Sequence, residues 1–457
     1  MYRKLKHIHM VGIGGTGMNG IAEVLLNLGY KITGTDIGEN QATRRLKKLG
    51  AEIWKGHKAE RGEGADVVVI SSAVGEDNVE VVEARRIKTP VIPRAEMLAE
   101  LMRMKYGIAI AGSHGKTSTT SMVAIILEEA GLDPTIIVGG RLNTVGAHGK
   151  LGEGDFIVAE ADESDRSFLY LSPFIAVLTN LDEEHLDQYK NVEEIKATFA
   201  NFANKVPFFC PIVLCLDDPN LQSLIPELER RLITYGFSAQ AEIFARDPEF
   251  NNFSSTSTLF HNGEKIGQLK LNVPGKHSIY NAMAAVAVGL DLEIPISTIL
   301  KAMEKYDGIG RRFELKETIG DINIFEDYAH HPTEIKATLD AAKKGWPNRT
   351  VAVFQPHRYT RLSFLMKEFG TAFNQADKVI ITEIYPAGEK PIPGVDGKAL
   401  YQEILQFGHK GVLYEADMKK IPQRIAELVE PGDMIFVLGA GNISQIIPEI
   451  ASRLKNR

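Results

Sequence analysis

The sequence predicts an α/β protein of three domains, each a doubly wound, mostly parallel sheet: a Rossmann-like unit over residues 1–100, a central unit of P-loop type over 101–308, and a second Rossmann-like unit over 309–457. Three observations predict it. A chain of 457 residues exceeds what one core organises. Short apolar, β-branched runs alternate with stretches of helical periodicity from end to end. Two glycine-rich turns, at 12–17 and 112–115, each stand between a strand and a helix, where free helix amides gather anions.

Residues 7–11 alternate into a strand, the turn Gly12-Ile-Gly14-Gly15-Thr16-Gly17 leads into a helix over Met18–Leu28, and Lys31–Asp36 makes a second strand, which together form a βαβ unit. Asp66–Ser72 adds a strand, and a helix over Arg94–Met104 hands the chain to the next unit. There, strand Tyr106–Ala111 runs into Gly112–Thr117 and an apolar helix over Ser121–Ala130. Phe156–Glu160, Ile175–Asn180 and Ile212–Leu216 are buried in type and suit a parallel sheet. Residues 240–273, polar and alternating around the turn His261-Asn-Gly-Glu264, predict an appended antiparallel hairpin, and a helix over Ser278–Leu290 closes the domain. Gly308-Ile-Gly310 suits a bending linker; strands at Ile322–Glu326, Val351–Gln355, Val379–Thr382 and Met434–Leu438 follow.

Composition excludes several classes. A net charge of −7 argues against a nucleic-acid footprint, and no apolar run is long enough for membrane insertion. Glycines at 12, 14, 15 and 17 interrupt the first apolar stretch, so it lacks a signal-peptide core. Cys210 and Cys215 lie in one apolar strand, as in a reducing compartment, and the expected location is cytoplasmic. The expected partners are metabolites, with the chain a monomer or weak homodimer.

The residues that carry chemistry cluster at strand ends. Gly112, Ser113, His114 and Gly115 form a turn whose backbone can approach phosphates, Lys116 supplies a charge for the β- and γ-phosphates of ATP, and Thr117 and Ser118 open the helix, with the Thr117 hydroxyl able to ligate Mg²⁺. The strict pattern places Gly at 110, where this chain has Ile110. Glu160, ending a strand beside that turn, is the first choice for a Mg²⁺ carboxylate; His185 is either a second-metal ligand or a structural histidine. His277 and Asn281 stand one helical turn apart, placed for an adenine edge or for simple capping. Gly14, Gly15, Thr16 and Gly17 with Asp36 fit G-x-G-x-x-G and its ribose carboxylate, which holds a pyrophosphate, whether of NAD or of UDP. His57 and Ser71 could contact the same ligand, and His57 is equally readable as a solvated loop residue. Arg311-Arg312-Phe313, Asp327 to Pro332 and His357 to Arg361 bring cations to three further strand edges, for anions or for surface salt bridges.

Taken together, Gly12–Met18, Gly112–Thr117, Ala159–Ser164, Thr179–His185, His277–Asn281, Gly310–Phe313, Asp327–Pro332 and His357–Arg361 closely resemble the Mur ligases, in order along the whole chain. The resemblance implies a UDP-sugar domain, a central ATPase domain whose phosphate loop lacks the first glycine, and a C-terminal amino-acid domain. It implies an ATP-dependent ligase of peptidoglycan precursor synthesis that joins L-alanine to the carboxylate of UDP-N-acetylmuramate through an acyl phosphate. By position, Lys116 and Arg312 would neutralise the γ-phosphoryl group. Thr117 with Glu160 would hold one Mg²⁺, and Glu160 with His185 a second. His277, Asn281 and Asp327 would meet the adenosine. Arg358 and Arg361 would clamp the alanine carboxylate, with His331 near its amine as proton acceptor. The alternatives are the family's recycling member, which adds a tripeptide to the same sugar, and, from another class, an NAD-dependent oxidoreductase.

Overall fold

Three sheets carry the described residues, which are 5–139, 149–184 and 188–456 of this computed structural model. The first comprises β1 (His7–Val11), β2 (Lys31–Asp36), β3 (Glu52–Lys55), β4 (Val67–Ile70) and β5 (Val91–Pro93), all parallel in the order β3-β2-β1-β4-β5. The order reverses between β1 and β4, so the loops after them diverge and leave a crevice at the strands' carboxyl ends.

The central sheet has β6 (Tyr106–Ala111), β7 (Thr135–Ile137), β8 (Gly149–Lys150), β9 (Phe156–Glu160), β10 (Ile175–Leu178), β11 (Pro211–Cys215), β12 (Arg231–Gly236), β13 (Ile243–Asn251), β14 (Ser254–His261) and β15 (Glu264–Leu271). Its order is β15-β14-β13-β12-β11-β10-β6-β9-β7-β8, which puts β6 between β10 and β9. Strand β6 is buried on both faces, with Ile108, Ala109, Ile110 and Ala111 fully enclosed. The third sheet holds β16 (Glu314–Ile319), β17 (Ile322–Asp327), β18 (Thr350–Phe354), β19 (Lys378–Ile381), β20 (Val412–Tyr414) and β21 (Met434–Leu438) in the order β16-β17-β21-β18-β19-β20, with β16 antiparallel at its edge.

The helix Lys276–Asp291 is apolar nearly all round because it packs between the central sheet and the helix Lys116–Glu129. Alanines 282, 284, 285 and 287 keep that approach close. Several boundaries differ from expectation for one reason: polar first turns are invisible to apolar periodicity. The first helix begins at Thr16 instead of Met18, and the second glycine turn feeds a helix that begins at Lys116 instead of Ser121. The expected single hairpin is a three-strand meander, β13-β14-β15, that continues the central sheet from β12. Its predicted turn is real: Asn262 and Gly263 take φ of 51° and 84°, the left-handed pair a tight hairpin needs. Burial pushes the Cys210 and Cys215 thiols up to about 11 and about 12, which leaves both inert. Among the described residues no helix is long and apolar enough to cross a membrane.

Candidate active site

Strand β6 ends at Ala111, and the chain then turns through Gly112 (φ 144°) and Gly115 (φ 81°) into the Lys116 helix. A Cβ on Gly112 would fall 2.0 Å from Thr179 Oγ1, and one on Gly115 would fall 2.5 Å from Asn281 Oδ1, so both positions require glycine. The loop is stitched to the end of β10. The His114 amide donates to Asn180 Oδ1 at 2.7 Å, Asn180 Nδ2 donates back to the His114 carbonyl at 2.9 Å, and the Asp182 amide donates to Ser113 Oγ at 2.9 Å. Ile110 departs from the strict pattern without harm, since it is still inside the sheet, paired with Val177 and Glu160.

Lys116 curls over the loop, donating to the carbonyls of Gly112 and Ser113 and pairing with Glu163 at 2.8 Å. Burial opposes its charge, but Glu163 and Asp162 outweigh burial and hold the ammonium above its usual range. Beside it, Glu160 is hydrogen-bonded to the Thr117 side chain and accepts from the Gly139 amide at 2.7 Å; burial raises its pKa. Ser118 bonds Tyr306. His185 lies outside the described residues.

A cavity of about 480 Å³ opens in front of the loop, at the seam between the central and third sheets. His277, Asn281, Arg312 and Asp327 all line it, so residues far along the chain from the loop share one chamber with it. Burial, with Arg312 nearby, lowers His277 to about 4, which keeps the ring neutral and suited to packing on a base. Deeper in, Tyr280 donates to Asp217 at 2.8 Å. Arg312 donates to Glu334 Oε1 at 3.2 Å and is flanked by Arg311 (φ 62°) and Phe313 (φ 46°), two left-handed residues that aim it back toward the loop. Asp327 takes amides of Phe313 (2.9 Å) and Ala329 (2.8 Å); it fixes the linker's course as well as lining the chamber.

Charged groups meet across the seam. His114 Nε2 faces Asp182 at 3.2 Å and its Nδ1 faces Glu334 at 3.6 Å, while Thr333 donates to Asp182. Burial opposes the charge on His114, but Glu184, Asp182 and Glu334 push the ring up to about 10. His331 caps the helix Pro332–Gly345, Nδ1 accepting the Thr333 amide at 3.3 Å; Nε2 is buried with no hydrogen-bond partner among the described residues, 3.9 Å from Glu184. That acceptor role puts the neutral ring's proton on Nε2, so His331 as placed is not the expected acceptor of an amine proton. One ligand atom each of His114, Glu184 and His331 lie within 4.8 Å of one another.

Arg358 and Arg361 stand apart from this chamber. Arg358 faces Glu389 at 3.5 Å, and Arg361 donates to His357 Nδ1 at 3.3 Å. His357 stacks on Tyr385 and meets His330 at 6.0 Å, which links the two arginines to the His330-His331 corner.

The first sheet's crevice is a separate cavity of about 650 Å³ lined by Gly12, Gly14, Gly15, Asp36, His57 and Ser71 among others. Asp36 turns partly inward, accepting the Gly14 amide at 2.8 Å, so it braces the glycine loop as well as facing the cavity. Thr16 opens the helix behind the loop. Gly17 does not join the cavity wall: a Cβ there would meet Arg94 Nη1 at 2.6 Å, and Arg94 pairs with Asp162 Oδ2 at 3.0 Å in the central domain. Its glycine is explained by that domain contact.

Reading the sequence assigned no role to Asp182, Thr333 and Glu334, and placed Glu163 only among the carboxylates that follow β9. The signal for Glu334 was present, three residues after the cap at His331, where its carboxylate reaches back to the His331 amide as in a capping box. Asp182 was overshadowed by the nearby histidine at 185.

Family models described as "Mur ligase family, catalytic domain", "Mur ligase middle domain" and "Mur ligase, glutamate ligase domain" match residues 7–106, 110–289 and 311–441. A curated relative named UDP-N-acetylmuramate–L-alanine ligase, from Pelobacter propionicus, is 55% identical over 97% of this chain and 97% of its own. One of the same name from Syntrophotalea carbinolica is 53% identical over 100% of both. Among solved structures, the UDP-N-acetylmuramate–alanine ligase of Thermotoga maritima superposes with a TM-score of 0.84 at 28% identity, covering 98% of this chain and 99% of that one. A murein peptide ligase from Psychrobacter arcticus reaches 0.72 at 25%, covering 99% of each. With all three sheets matched in order, the chain belongs to the Mur ligase family.

Proposed function

We propose that the chain joins L-alanine to the carboxylate of UDP-N-acetylmuramate at the expense of ATP, with residues 1–100 for the UDP-sugar, 101–308 for ATP and 309–457 for the amino acid. The observation that carries this reading is the chamber itself: His114, Gly115, Thr117 and Ser118 of the loop form one wall and Arg312, from the next domain, another, with Lys116 held in the same loop against Glu163. A triphosphate end held there meets Arg312 from one side, and Lys116 from the other once its ammonium leaves Glu163.

ATP comes with Mg²⁺ in such loops, and the residues present fit it. Thr117 and Glu160 offer a hydroxyl and a carboxylate already touching each other, a hard oxygen pair beside the phosphates. When bound, the ion supplies charge neutralisation across the phosphate oxygens. Glu160 is also the residue the resemblance assigns to a second ion.

A carboxylate is a poor electrophile, so its oxygen first takes the γ-phosphoryl group of ATP and ADP leaves. Two anions must approach, and Lys116 with Arg312 offsets their repulsion and the transition-state charge. The alanine amine then attacks the acyl carbon, the tetrahedral intermediate expels phosphate, and an amide remains. The amine's proton passes to the Asp182–Glu184–His331 cluster, whose carboxylates are acceptors. Arg361 and Arg358 supply the cations for the alanine carboxylate, which requires Arg358 to exchange Glu389 for substrate.

The test is ADP release from purified protein with UDP-N-acetylmuramate fixed and the amino acid varied. Alanine should support turnover, glycine and serine slower turnover, since one methylene or hydroxyl changes discrimination by about 1–3 kcal/mol. Faster turnover with the L-Ala-γ-D-Glu-diaminopimelate tripeptide would favour the recycling reaction instead, and nicotinamide reduction an oxidoreductase.

A further inference from the structure

A buried carboxylate lies beneath the first sheet's crevice. Glu80, from the helix Val79–Arg86, has a fully enclosed side chain. Its Oε2 meets His9 Nε2 at 3.0 Å and accepts from Thr35 Oγ1 at 2.7 Å; its Oε1 accepts the Lys58 amide at 3.0 Å. Burial would raise its pKa, yet His9, Thr35 and the Lys58 amide together hold it below the usual carboxylate range. An enclosed carboxylate with this many donors is a fixed anion, costly to bury and costly to unpair.

Counting hydrogens shows what that anion does. A hydroxyl has one hydrogen, and Thr35 gives its own to Glu80. Thr35 Oγ1 also lies 3.0 Å from His57 Nδ1, so toward that ring it can only accept. His57 therefore carries hydrogen on Nδ1, which stands 3.5 Å from Glu80 Oε1 as well. Nε2 is the nitrogen left for the cavity that His57 lines. On the other side, Thr33 Oγ1 sits 2.8 Å from both His7 Nε2 and His9 Nδ1, and His7 Nδ1 is 3.0 Å from the Gly64 carbonyl.

We propose that Glu80 is a positioning residue for the UDP-sugar: through Thr35 it fixes the Nδ1–H tautomer and the ring plane of His57, and so presents Nε2 to the ligand as a hydrogen-bond acceptor. The donor it suits is a ribose hydroxyl or the imide N–H of a uracil. This rests on the proposed use of the first cavity for the UDP-sugar.

The test is calorimetric titration of the full chain with UDP-N-acetylmuramate and, separately, with a non-hydrolysable ATP analogue. Glu80→Gln should weaken the UDP-sugar about tenfold, the loss of one good buried hydrogen bond, and leave the ATP analogue within about twofold. His57→Ala should weaken it similarly, and the double variant should bind no worse than His57→Ala alone. Thr35→Val, which keeps the Glu80–His9 contact, should reproduce Glu80→Gln and covers the case in which that variant folds poorly. Nitrogen-15 shifts of labelled histidine should show Nδ1-protonated His57 in the parent and a tautomer mixture in Glu80→Gln. Additive losses in the double variant, equal loss of the ATP analogue, or an Nε2-protonated His57 in the parent would each overturn the proposal. Failure of the parent to bind UDP-N-acetylmuramate while binding the ATP analogue would instead overturn the assignment of the cavity.

Discussion

Thr333 donates its hydroxyl hydrogen to Asp182 at 2.6 Å, and this bond crosses from the helix after β17 to the loop after β10. Around it, His114–Glu334, His331–Asp182 and His331–Glu184 also meet between the central and third domains. The seam beside the phosphate loop is thus closed by polar and ionic groups.

His114 makes this seam pH-sensitive. Its folded value of about 10 lies above the ordinary 6.5, so its stabilisation is complete below pH 6.5 and is lost as pH rises through about 10. Asp182, held below its ordinary range although burial works against it, contributes in the opposite sense and fails only in strong acid. His114→Gln should therefore lower the unfolding temperature at pH 6.5, by an amount corresponding to about 1.5–3 kcal/mol, and the gap from the parent should close above pH 10. Calorimetric scans at the two pH values check this.

Lys116→Ala should reduce ADP release by at least about 10²-fold, the scale set by removing one preorganised charge from a transition state. Because it also leaves Glu163 buried beside the loop, part of any loss in ATP affinity reflects repulsion. Adding Glu163→Gln should recover ATP binding in a titration but not turnover.

Gly115→Ala should weaken ATP binding and cost about 1–3 kcal/mol in stability, since φ of 81° and the Asn281 side chain both oppose a Cβ. Restoring the strict loop pattern should do no good. Ile110→Gly removes a fully buried strand residue and should destabilise by about 2–5 kcal/mol with no gain in ATP affinity, as read by denaturant melts and titration.

Gly17→Ala should displace Arg94 and break its pair with Asp162. The expected result is a several-fold rise in KM for the UDP-sugar that Arg94→Ala reproduces, with ATP binding little changed. If Gly17 instead touches the pyrophosphate, Gly17→Ala will be much the more damaging of the two in steady-state assays.

The three sheets were legible because parallel strands buried on both faces read as plain apolar runs, as in Ile108–Ala111. The phosphate loop was legible because its chemistry is local: glycines, lysine and threonine within six residues. What escaped was non-local. Asp182 and Glu334 matter only because folding brings both within reach of His114, and Glu80 only because a helix sets it under His9 and Thr35. Spacing along the chain carries no trace of such meetings. Gly17 shows the reverse case, a motif residue whose nearest neighbour is an arginine of another strand–helix junction.

The left-handed residues on either side of Arg312 bear on how the enzyme can be taken apart. They bend the linker so that a guanidinium encoded after the hinge completes the chamber built before it. A fragment truncated at 308 would keep its sheet and its glycine turn yet lose a wall of the nucleotide chamber, so mixing separately expressed pieces should restore ATP turnover only when the two reassociate.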